Sequence, residues 1–158
     1  MRSAILIAIF LCVCYASISE ASLDIRKCKK RSSAALENLE ISGCTSYPCA
    51  LKKGTSPTIK ATLNMRRRVK NLKLRIAAKI NGREVPFSVD DSNHCAETVE
   101  GMKSKKRCIL RKGKSYDYAF SLPVLKEYPS LLVVVKYEIV DARGRTVACF
   151  SFPAKIVE

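Results

Sequence analysis

Apolar and polar side chains alternate along much of this 158-residue chain. Between Leu131 and Val140, Leu131, Val133, Val135, Tyr137 and Ile139 share one face, while Lys136 and Glu138 take the other. Phe150, Phe152, Ala154 and Ile156 repeat that period at the C-terminus, Tyr116, Tyr118, Phe120 and Leu122 before it, and Ile59, Ala61 and Leu63 earlier still. Side chains two apart share a face only on an extended chain, so each run predicts a half-buried strand. Turn signals separate the runs: Lys53-Gly54, Asn81-Gly82, Lys112-Gly113 and Arg143-Gly144. Short strands divided this way, with no long helical pattern, predict an all-β domain, an antiparallel sandwich or barrel.

The stretch from Arg66 to Ile80 fits two periods. Val69, Leu72, Ile76 and Ile80 have helical spacing with basic residues between them, the pattern of a cationic amphipathic helix at a membrane. The same stretch also alternates, with Leu72, Leu74, Ile76, Ala78 and Ile80 opposite Lys73, Arg75 and Lys79. Asn81-Gly82 directly follows, and that pair supplies the two positive φ angles of a tight hairpin turn, which decides for a strand.

The N-terminus reads as a secretory signal over residues 1–21. Arg2 precedes a 13-residue apolar run from Ala4 to Ala16, too short for the roughly 20 residues of a membrane span, and Ser19-Glu20-Ala21 is a small-residue cleavage site. The domain is then 22–158, and the expected location is secreted and extracellular. Processing leaves Cys28, Cys44, Cys49, Cys95, Cys108 and Cys149, an even set that an oxidising compartment pairs as three disulfides. Six cysteines allow fifteen connectivities. Spacing favours local pairs, with Cys44 and Cys49 flanking a short turn, Cys95 and Cys108 bracketing a charged loop, and Cys28 left for Cys149. His94 is the only histidine and no C-x-x-C pair occurs, so no metal site is expected.

Four segments together, "CTSYPCALKKG", "NGREVPFSVDDSNHC", "LPVLKEYPSLLVVVKYEIVD" and "ACFSFPAKIVE", give the chain a wider likeness. It resembles the ML lipid-recognition domain family, with its Niemann-Pick type C soluble sterol carriers and mite group-two allergens. The resemblance implies an immunoglobulin-like β-sandwich of two antiparallel sheets around an internal hydrophobic cavity. It also implies the disulfides Cys28–Cys149, Cys44–Cys49 and Cys95–Cys108. The guest implied is a sterol or similar hydrophobic lipid such as a fatty acid, bound without any cofactor. Matching the family's pocket motifs to this chain assigns its lining to Phe87, Val124, Tyr128 and Phe150, with Pro123 and Tyr137 nearby. Burying roughly 500 Å² of sterol at about 25 cal/mol/Å² is worth on the order of 12 kcal/mol before association costs, so no ionic contact is required.

Charge changes the picture in one respect. The formal net charge is +15, clustered at 26–31, 66–79 and 103–114. A solvated surface is the plain reading, but such a field also attracts an anionic membrane surface or, as the resemblance suggests, a microbial glycolipid with phosphate groups. Lys103, Lys105, Lys106 and Arg107 are the expected contacts to such anions. Nucleic acid is not an expected partner for a secreted, disulfide-linked domain, and a monomer is expected.

No enzyme is read here. His94 stands beside Asp90 and Asp91, but no nucleophile motif accompanies them and the cysteines are expected in disulfides. A lone loop histidine reads as solvent-facing and the two aspartates as turn residues. No N-x-[ST] sequon follows residue 21, which argues against sugar-tagged delivery to lysosomes.

Overall fold

The computed structural model describes residues 24–87, 92–102 and 108–158. The signal segment, Asp90, Asp91 and the cationic set Lys103, Lys105, Lys106 and Arg107 lie outside the described residues. Among the described residues, eleven strands and one short helix follow in the order β1 (Arg26–Lys27), β2 (Ala34–Ile41), β3 (Cys49–Lys52), β4 (Thr58–Met65), β5 (Val69–Lys70), β6 (Lys73–Ile80), β7 (Arg83–Pro86), α1 (Cys95–Thr98), β8 (Ile109–Leu110), β9 (Ser115–Ser121), β10 (Leu132–Val140) and β11 (Thr146–Val157). The order β1-β11-β10-β6-β7 makes one layer, with β3 also on β11, β2-β4-β9 makes the facing one, and β5 and β8 pair as a separate two-stranded ribbon. Every pairing is antiparallel except that of β3 with β11. The result is an immunoglobulin-like β-sandwich.

The alternating runs bury the faces expected of them. Ile59, Ala61 and Leu63 of β4, Leu74, Ile76 and Ala78 of β6, Val133, Val135 and Tyr137 of β10, and Phe150, Phe152 and Ala154 of β11 all lie in one core. The 66–80 stretch takes the strand form in two pieces, β5 and β6, parted at Asn71 with φ 58°. Asn93 holds that break, its Oδ1 accepting hydrogen bonds from the Leu72 and Cys95 N–H groups at 3.0 and 3.2 Å. At the other end of β6, Ile80 pairs with Arg83 across a two-residue loop, with Asn81 at φ 48° and Gly82 at φ 84°. Those two left-handed residues make the hairpin turn that the Asn-Gly pair predicts.

Three disulfides join Cys28 to Cys149, Cys44 to Cys49 and Cys95 to Cys108. The first fastens the N-terminal segment to β11 across 121 residues of chain, so the unfolded chain loses much of its freedom, an effect of about 4 to 5 kcal/mol on the loop-entropy model.

Two polar residues depart from their sequence-based placement. His94 is buried rather than solvent-facing, because α1 folds it in against Phe120, edge to face at 6.1 Å, with Glu97 3.4 Å from its Nδ1. Glu138, assigned to a solvent face by alternation, is also buried. Lys30 Nζ donates to its Oε1 at 3.1 Å and Thr146 Oγ1 at 2.7 Å. Burial raises the Glu138 pKa, but these hydrogen bonds and the positive charges of Lys30 and Arg75 outweigh it and hold the group below its ordinary value.

Candidate functional site

Between the sheets, at the end where β9 runs into β10, nine apolar residues converge: Leu51, Phe87, Leu122, Pro123, Val124, Tyr128, Val133, Val135 and Ile156. No charged side chain is among them. They leave about 10 Å³ between them, so the walls are nearly in contact. Ligand pockets run to roughly 300–1,000 Å³, so the walls as they stand leave no room for a ligand of that size.

Local hydrogen bonding shows what positions each wall. The Phe87 N–H donates to the Ile76 carbonyl at 2.8 Å, extending the β6–β7 hairpin by one residue and turning the ring inward. Residues 122–124 are pinned to the turn before β4, Leu122 N–H to Pro57 O at 2.9 Å and Val124 N–H to Thr55 O at 2.9 Å. Gly54 returns a bond to Val124 O at 2.7 Å, and its φ of +72° suits a residue without a side chain. Tyr128 closes the following turn and meets Phe87 edge to face, with ring centroids 5.3 Å apart. Partial burial, and then the nearby Glu127 charge, push the Tyr128 phenol pKa up, so it stays neutral. Two apolar side chains on neighbouring segments remain exposed, Val85 at 49% and Leu125 at 47%. They mark this edge as the mouth.

The six residues assigned to the lining by resemblance divide into two groups. Phe87, Pro123, Val124 and Tyr128 meet at the mouth. Tyr137 and Phe150 lie elsewhere, in an aromatic column where their rings stack at 5.2 Å and Phe150 continues to Phe152 at 6.2 Å. Tyr118 caps the column, its hydroxyl hydrogen-bonded to that of Tyr137. Burial drives the Tyr118 pKa far above its usual value, with the Tyr137 bond opposing only in part. Tyr137 is raised by burial first and then by Tyr118. Leu51, Leu122, Val133, Val135 and Ile156 complete the wall; the alternation of the sequence sets the inward phase of the last four, but nothing in that phase separates wall from core, and no run includes Leu51.

A wider groove of about 740 Å³ crosses the solvent face of the small sheet. Glu40, Lys60, Glu97, Glu100 and Asp117 are among its lining, in contrast to the charge-free walls between the sheets. Among the described residues no group of three metal-ligating side chains converges, and no helix is long and apolar enough to cross a membrane.

The family model described as the ML domain matches residues 22–156. The chain belongs to the ML-domain family. This ML domain is 31% identical over 121 residues to the NPC intracellular cholesterol transporter 2 of Bos taurus, covering 77% of the chain and 76% of the relative. It is 25% identical over 138 residues to the mite group 2 allergen Pso o 2 of Psoroptes ovis, covering 86% of each. In three dimensions it is similar to a Niemann-Pick type C2 protein from Japanese carpenter ant, with TM-score 0.71, 21% identity and coverage of 84% and 98% of the two chains. Chicken MD-1 complexed with lipid IVa has the same fold at TM-score 0.53 and 22% identity, covering 83% and 86%.

Proposed function

We propose that this ML domain is a secreted carrier that binds and transfers a sterol or similar hydrophobic lipid between its two β-sheets, without covalent chemistry. One observation carries the reading: nine apolar side chains and no charged one meet between the sheets at a mouth whose edge leaves Val85 and Leu125 exposed. The relatives named for cholesterol transport support it. In this reading Phe87, Val124 and Tyr128 move apart to admit the guest, and the column of Tyr137 and Phe150 forms the floor against which it comes to rest. Residues 1–21 are the signal that delivers the chain outside the cell.

A second reading, recognition of an anionic microbial glycolipid, draws on the MD-1 complex with lipid IVa and on the net charge of +15. It requires phosphate-binding cations at the mouth. Among the described residues the densest cationic cluster lies at the opposite end of the sandwich, which favours the neutral guest.

Native mass spectrometry and lipid extraction on protein purified from a eukaryotic secretory host test the carrier reading. The expected result is one sterol or fatty acid per chain. Tyr128→Ser is expected to weaken uptake of a fluorescent sterol by about tenfold, the loss of about 1.4 kcal/mol of contact, while the melting temperature changes little. Full uptake by folded Tyr128→Ser would discredit this mouth. An empty protein that takes up no sterol, yet binds acidic glycolipid vesicles at low salt, would move the reading to glycolipid recognition.

A further inference from the structure

Among the described residues, the densest group of cations lies at the end of the sandwich away from the mouth. Four connections meet there: the segment before β2, the β4–β5 turn, the β8–β9 turn and the β10–β11 turn. Backbone hydrogen bonds stitch them together, Arg66 N–H to Ser33 O at 2.8 Å, Ser33 N–H to Thr146 O at 3.1 Å, Met65 N–H to Lys114 O at 2.9 Å and Ala142 N–H to Lys70 O at 3.4 Å. They carry exposed Lys or Arg at 29–31, 66–68, 70, 111, 112, 114, 143 and 145. Arg75 adds another, with its Nη2 only 3.3 Å from where a side chain on Gly144 would begin.

Little opposes this charge. Within 28–33, 65–70, 108–115 and 141–146 the one acidic residue is Asp141, which is buried and bound to Arg145 at 2.7 Å. Glu138, just inside, is likewise buried and paired with Lys30. The two carboxylates answer only those two of the cations, and the rest face solvent. By contrast, Val85, Leu125, Leu132 and Val134, the exposed large apolar side chains among the described residues, all lie outside these four connections.

We propose that this end is a binding surface for a sulfated linear polysaccharide. Lys30, Arg31 and Arg66 line a cavity of about 220 Å³ at this end, while the remaining cations are spread outside it over all four connections, which suits an extended polymer touching many points. Seven of them are arginines, at 31, 66–68, 111, 143 and 145, whose planar forks match sulfate oxygens two at a time. Among the described residues, no large apolar side chain is exposed on this surface to enter a bilayer. Resting on the carrier reading, a further point separates polymer from membrane. The eight residues of β4 hold the two ends about 23 Å apart at roughly 3.3 Å per residue, so a membrane at this end would face the closed side of the carrier. A polysaccharide there leaves the mouth free.

The test measures the purified protein on immobilised heparin, on chemically desulfated heparin, and on phosphatidylcholine vesicles with about 30 mol % phosphatidylserine. Heparin is expected to bind tightest and to lose about 10³-fold in affinity between roughly 50 and 200 mM salt, as six or more ionic contacts would. The triple variant Arg66→Ser, Arg67→Ser, Arg68→Ser is expected to bind heparin at least about tenfold more weakly, each lost contact contributing to the salt slope. A second triple variant, Arg111→Ser, Lys112→Ser, Lys114→Ser, guards against a folding defect in the first. Both should take up fluorescent sterol as the parent does, and Lys52→Ser with Lys126→Ser near the mouth should leave heparin binding unchanged. Parental heparin affinity in the folded triple variants, equal retention on desulfated heparin, or tighter binding to the vesicles would each overturn the proposal. Sterol uptake is read separately, so failure of the carrier reading would show as an empty protein that still binds heparin.

Discussion

The aromatic column and the mouth lie in the same interior and draw on the same strands, yet they are built differently. In the column, Tyr137, Phe150 and Phe152 are fully buried, stacked on one another, and closed by a satisfied hydroxyl pair. At the mouth, Phe87 and Tyr128 are half-buried, touch mainly edge to face, and sit on a hairpin and a turn. Interiors resist change where every side chain has close neighbours on all sides, and yield where a wall is made of turns with solvent behind them. The column should therefore hold the fold together while the mouth should open.

The largest test of that division is Phe150→Ala. Removing a buried ring costs about 3 to 5 kcal/mol through lost burial and the cavity left behind. Urea denaturation should show a fall of that size, against a much smaller one for Tyr128→Ser. Equal losses at both positions would erase the distinction.

Alkaline titration separates the same two regions by their phenols. Folding raises the pKa of Tyr118 and Tyr137 through burial, and of the half-exposed Tyr128 to a lesser degree. A raised folded value means that the neutral phenols stabilise the native state fully below the unfolded pKa near 10, and that this stability is lost as pH rises through the folded values. Ultraviolet absorbance should report Tyr128 ionising while the fold is intact, and the column phenols only together with unfolding. Removing one hydroxyl is a finer probe. Tyr137→Phe leaves that of Tyr118 buried without its partner, a loss of about 1 to 3 kcal/mol, whereas replacing both by Phe should cost less than the two single changes summed.

The sequence makes part of this legible. Strand phase follows from period two, and the β6–β7 hairpin from Asn81-Gly82, because both depend on neighbours along the chain. What depends on distant partners is not written locally. Glu138 occupies a polar phase but is buried because Lys30, 108 residues away, reaches it with Thr146. His94 turns inward because α1 presses it on Phe120 of β9. β3 lies parallel to β11, a pairing no alternation announces. The mouth and the column could not be told apart for the same reason: Tyr137 and Phe150 are cross-strand partners in the middle of β10 and β11, where burial is complete. Phe87 and Tyr128 lie beyond the strand ends, where burial is only partial. The resemblance to the ML family gathered all six residues, but only the packing divides them.

The smallest effect tests whether the mouth is a separate unit of stability. Asn81 has φ 48°, a left-handed conformation that costs a residue such as alanine about 1 kcal/mol more than the right-handed one. Asn81→Ala therefore strains the turn that delivers Phe87 to the wall and touches nothing in the column. Hydrogen exchange should quicken at the Phe87 amide, whose bond to Ile76 closes the hairpin, by about fivefold for 1 kcal/mol, while the amides between β10 and β11 keep their protection. If exchange quickens equally in both places, mouth and column open together, and a guest could enter only by loosening the whole sandwich. If it quickens at the hairpin alone, β7 is a hinge, and the rate of lipid uptake should rise in Asn81→Ala even as stability falls.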